Sequence, residues 1–172
     1  MTAKKQVFRT VGFAFISLAV LGYTFTHLLE RCSMSGDVAE IPAPPFYNAI
    51  VDATIEEIDR QISEDPDIVN RPLLLGFYPI HYAATTGRLD VIQLLIDRGA
   101  DPNQRAGPYQ ATPLVAAVES GDTDVIELLL DSGADPSITM SDGLTILDYA
   151  REIGTEQTVR TLEQAIESPS DP

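Results

Sequence analysis

The chain has 172 residues, 26 acidic and 11 basic, for a net charge of −15, a length that suits one domain with an appendage. The imbalance is uneven: from Ser33 onward seven arginines stand against 25 carboxylates, and no lysine occurs after Lys5, so this part repels a phosphate backbone and does not bind nucleic acid. A single cysteine, Cys32, excludes an intrachain disulfide, and with only His27 and His81 beside it the chain cannot furnish a typical zinc site.

Residues 1–10 form a short basic terminus carrying Lys4, Lys5 and Arg9. Val11–Leu29 follows without an Asp, Glu, Lys or Arg, close to the ~20 residues that span a bilayer as a helix. We read 11–29 as an uncleaved transmembrane signal-anchor. A cleaved signal peptide is the alternative, because Val11–Leu21 also suits its apolar core, although no small-x-small site follows at a suitable distance. The basic residues ahead of the span place the amino terminus in the cytoplasm and the rest outside. In a Gram-negative source the chain is then a single-pass inner-membrane protein with a periplasmic domain, or a soluble periplasmic protein if cleaved. Residues 30–47 include Gly36, Pro42, Pro44 and Pro45 and read as a fairly stiff linker.

Ile50, Val51, Ala53, Ile55, Ile58 and Ile62 then form a helical stripe, with Glu56, Glu57, Asp59 and Arg60 covering the other side. Two closely matched stretches follow, Tyr78–Asn103 and Thr112–Ser137, in which Pro79 and Pro113, like Gly99 and Gly133, stand 34 residues apart. Each proline marks the start of a short first helix, where a missing N–H costs nothing. Gly87 and Gly121 end that helix. Val91, Ile92, Leu94, Leu95 and Ile96 give a second helix with a broad apolar face, repeated at Val125, Ile126, Leu128, Leu129 and Leu130. Neither pair can bury its face alone, so copies stack, and Leu95 and Leu129 are expected in the shared core. A more polar copy opens at Ser141 and closes near Ile166, as a carboxy-terminal cap requires, and 167–172 reads as a disordered tail.

The period, the Pro-Ile-His and Pro-Leu-Val openings and the Gly-Ala-Asp-Pro closings resemble the ankyrin repeat. The resemblance covers 48–166, with repeats about 48–72, 73–106, 107–139 and 140–166. It implies an all-α solenoid of helix-turn-helix units, preceded by the separate amino-terminal helix. Ile146 and Asp148 replace the motif's proline and histidine in the last copy. His81 occupies the histidine position, where the resemblance implies that it ties neighbouring loops.

No set of residues forms a catalytic constellation, so the chain is read as a non-enzyme with no cofactor and no small-molecule substrate. What remains is surface recognition. In an ankyrin array the loop tips and the exposed side of the first helices form a concave face. Carried onto this sequence, that face comprises Leu75 and Phe77, Tyr109 and Gln110, and Met140, Asp142 and Leu144 from the loops. Thr85, Thr86, Glu119, Ser120 and Glu152 come from the helices. Apolar residues flanked by carboxylates suit a protein partner with a basic surface. Phe77 either belongs to this face or folds back onto the first repeat. The second loop is one residue longer than the third, so Tyr109 projects further. The chain resembles membrane-anchored ankyrin proteins encoded beside catalases, which implies an adaptor or support for an antioxidant enzyme. Small acidic ankyrin proteins that block a toxic effector, as immunity or inhibitor proteins, are the alternative.

Overall fold

The computed structural model describes residues 45–167, so the expected anchor at 11–29, most of the linker and residues 168–172 lie outside the described residues. Eight α-helices occur among the described residues, arranged as four successive pairs: α1 (Pro45–Asp52) and α2 (Ile55–Glu64), α3 (Pro79–Thr86) and α4 (Leu89–Asp97), α5 (Pro113–Ser120) and α6 (Thr123–Asp131), and α7 (Ile146–Ile153) and α8 (Glu156–Glu167). Among the described residues there is no strand, only an isolated antiparallel bridge between Ala106 and Ala111. None of these helices is long and apolar enough to cross a membrane.

Two layers result. The first helices pack in series, α1 on α3, α3 on α5 and α5 on α7, and the second helices form the layer α2, α4, α6, α8. Small residues permit this closeness. Ala83 and Ala84 in α3 and Ala116 and Ala117 in α5 are buried, together with Ile80 and Leu114. Leu95 and Leu129 are fully enclosed, each 0% exposed, as the repeated apolar face requires. Pro79 and Pro113 open their helices, and Gly87 (φ +72) and Gly121 (φ +73) close them in the left-handed conformation that glycine adopts without strain.

Side chains then tie repeat to repeat. Asn70 donates from Nδ2 to the Gly99 carbonyl at 2.9 Å, and Asn103 does the same to Gly133 at 2.9 Å. Asn103 also accepts from the Asp135 N–H at 2.7 Å. Arg88 donates to the Ala53 carbonyl at 3.1 Å and the Ile50 carbonyl at 3.4 Å, satisfying acceptors at the end of α1 that have no partner within their helix.

Two local readings need correction, and one departure from the motif finds its reason. The stripe from Ile50 to Ile62 is two helices, not one, because Thr54 breaks it and caps α2, its side chain accepting from Glu57 N–H at 3.4 Å. Pro45–Tyr47, expected in the linker, already belong to α1, with Phe46 and Tyr47 buried. In the last pair Thr145 caps α7 and donates to Asp148 Oδ2 at 2.7 Å. The acid that replaces the motif's histidine therefore serves its own helix instead of a neighbouring loop.

Candidate functional site

Three loops meet along one edge of the array. In the first, Leu73 N–H donates to the Phe77 carbonyl at 2.7 Å, leaving Leu74, Leu75 and Gly76 as the tip. Ala106 and Ala111 exchange two bonds of 2.9 Å around a four-residue tip, Gly107–Gln110. Met140 N–H donates to Leu144 at 2.9 Å around Ser141–Gly143. The second tip therefore carries the extra residue that its sequence length implies.

The loops are stitched to one another. Ser141 donates its N–H to the Tyr109 carbonyl at 2.9 Å and its hydroxyl to the Pro108 carbonyl at 3.2 Å, and Arg105 donates to the Thr139 carbonyl. The Phe77 ring lies so close to Gly107 that a Cβ there would sit 2.9 Å from Cζ. His81 Nε2 is 3.1 Å from the Ala111 carbonyl oxygen, and burial lowers its pKa to about 4, so the ring is neutral. It ties α3 to the loop of the next repeat.

These contacts sort the expected face. Leu75 is 62% exposed and holds φ +54, a strained conformation for a branched side chain. Gln110 shares that φ and is exposed, Asp142 is exposed, and Tyr109 and Leu144 are partly buried. Phe77 and Met140 are buried, at 6% and 4% exposure, and correct the expectation that they face a partner. The Phe77 ring lies against Gly107 of the second loop, whose missing Cβ leaves room for it. Thr85, Thr86 and Ser120 spend their hydroxyl protons on helix carbonyls, at 2.8 Å to His81, 2.9 Å to Tyr82 and 2.8 Å to Ala117. They offer a partner shape rather than donors.

Glu152 is exposed on α7. Glu119 is not the solvated rim charge expected of it. Its Oε1 accepts from the Tyr149 hydroxyl at 2.7 Å, while Oε2 is buried without a hydrogen-bond partner. Burial raises its pKa to about 7, against the opposing pull of the Tyr149 bond. Tyr149 had no place in the sequence reading. The signal was available: it repeats the register of Tyr82, and a buried phenol needs a partner for its hydroxyl.

Among the described residues no group of three His, Cys, Asp or Glu side chains is placed to hold a metal ion. Residues 47–140 match the family model described as ankyrin repeats (3 copies). The chain is an ankyrin-repeat protein. No curated protein matches it. The match ends at Met140, and α7 and α8 add a further helix pair beyond it. Ankyrin repeats make this chain a protein–protein interaction module.

Proposed function

We propose that the ankyrin array docks a protein partner with a basic surface, and that residues 11–29 hold it at the outer side of a membrane. One observation supports this most. Each of the seven arginines among the described residues already donates to a carboxylate or a backbone carbonyl of the same chain. The charge left for a partner is therefore carboxylate, with Asp142 and Glu152 exposed on the third loop and on α7. Complementary charge of this kind steers encounter more than it adds affinity.

The test is capture of the partner by the full chain, followed by measurement of its affinity for variants. Tyr109→Ala should weaken binding roughly 5- to 150-fold, about 1–3 kcal/mol, without unfolding the array, because a loop tip contributes little core. Normal binding by Tyr109→Ala, with loss on changing Gln93 or Glu127 of the second helices, would overturn the concave-face reading. Retention in the membrane after a carbonate wash, with the amino terminus intact, is expected of the anchor. Mature soluble protein beginning near Ser33–Gly36 would replace it with the signal-peptide reading. The identity of the partner separates support of an antioxidant enzyme such as catalase from inhibition of a secreted toxin, the second reading that the resemblance supplies.

A further inference from the structure

Glu119 carries a direct side-chain bond between the first helices of two successive repeats, α5 and α7 (Tyr149 Oη to Glu119 Oε1, 2.7 Å). Its other oxygen is enclosed without a partner. A carboxylate so placed needs a cation or several N–H donors to offset its lost hydration, and neither is supplied. The helices packed against α5 are α3, α6 and α7. From α3 the titratable groups are His81, held neutral, and Tyr82, whose hydroxyl donates to the Leu74 carbonyl. From α6 come Asp124, Glu127 and Asp131, and Asp122 caps that helix. From α7 come Asp148, Tyr149, Glu152 and Arg151, whose guanidinium is turned to Glu163 of α8 at 2.8 Å. Every other ionised group in this shell is therefore acidic or directed elsewhere.

We propose that Glu119 is a proton-operated clasp: the repeat α7–α8 is held against α5–α6 when Glu119 is protonated and loosens when it ionises, because the single Tyr149 bond does not offset the hydration that the buried carboxylate loses. The location matters because, among the described residues, α7–α8 packs chiefly on α5–α6, and a unit held at one interface is the one that an array releases first. The burial-raised pKa of about 7 places the transition near neutrality, where a small change in pH changes the population. The sign follows from linkage. The folded pKa lies above the ordinary carboxyl value of 4.5, so the stabilisation is complete below about pH 4.5 and is lost as pH rises through about 7. His81 acts in the opposite sense: its folded pKa of about 4 lies below 6.5, so its contribution is lost as pH falls through that range. The two oppose each other between pH 4.5 and 6.5, and only Glu119 continues to titrate above it.

The experiment compares the full chain with its E119Q variant, since His81 and the overall acidity are common to both. The unfolding midpoint of E119Q relative to the unaltered chain should rise by several degrees between pH 5 and pH 8.5. Native-state hydrogen exchange on the unaltered chain, corrected for intrinsic rates, should show protection in α7 and α8 falling at least tenfold over that interval while α3 and α4 hold theirs. Tyr149→Phe removes a donor that favours the ionised form, so it should move the Glu119 carboxyl resonance to a higher titration midpoint, which a purely packing role would not do. A midpoint difference between E119Q and the unaltered chain that is flat with pH overturns the clasp. So does a Glu119 resonance titrating near 4.5. If E119Q does not fold, the exchange profile and the carboxyl titration of the unaltered chain decide.

Discussion

Gly107 and Phe77 are matched residues. The glycine holds φ +66 and its missing Cβ would meet the Phe77 ring at 2.9 Å, so Gly107→Ala combines left-handed strain with overpacking and should cost about 2–4 kcal/mol. Gly143 holds φ +83 with nothing within 4 Å of a Cβ, so Gly143→Ala should cost only about 1–2 kcal/mol. Urea midpoints at an unchanged slope measure both, and equal losses would mean that Phe77 yields freely. The pair also explains what a sequence hides. Leu75, Tyr109 and Gln110 were legible as loop tips because turn residues and loop length mark them locally. Phe77 was not, since its burial depends on a side chain that is absent 30 residues away. Glu119 looked like an ordinary rim carboxylate for the same reason: the phenol that receives it belongs to the next repeat.

Helices α3 to α6 were legible because each is punctuated locally: proline opens α3 and α5, and a positive-φ glycine stands just past the end of all four, Gly87, Gly99, Gly121 and Gly133. The break between α1 and α2 was missed because the isoleucine spacing runs on across it, although Thr54 and Glu57 carry a capping-box spacing. Packing between these elements supplies the stability. Leu95→Ala or Leu129→Ala should each cost about 2–5 kcal/mol, a large share of the total for an array of this size. A midpoint that barely moves would show the stacking register to be wrong. Arg88→Ala tests a different link, the cation that closes α1 from the following repeat at the Ile50 and Ala53 carbonyls. Losing charge-assisted bonds there should cost about 1.5–3 kcal/mol. Hydrogen exchange should locate that loss in α1 and α2, with α5 and α6 unaffected.

Across the whole molecule two electrostatic effects compete, and their magnitudes decide which wins. Ion pairs such as Arg60–Glu57, Arg71–Asp65, Arg151–Glu163 and Arg160–Glu156 have both side chains more than a third exposed, so solvent screens them and each contributes little. Against them stands the repulsion of a described region with 22 carboxylates and seven arginines, in which most carboxylates have no counter-ion. Screening weakens both, but repulsion among many separated charges involves distances near the Debye length, about 10 Å at 0.1 M salt, whereas contact pairs lie well inside it. Added salt should therefore relieve more repulsion than attraction. The thermal midpoint is expected to rise by a few degrees between 0.02 M and 0.5 M sodium chloride at pH 7.5, and association with a basic partner should slow over the same range. A midpoint that falls with salt would mean that the arginine pairs, not the surplus of acid, set the electrostatic balance of the array.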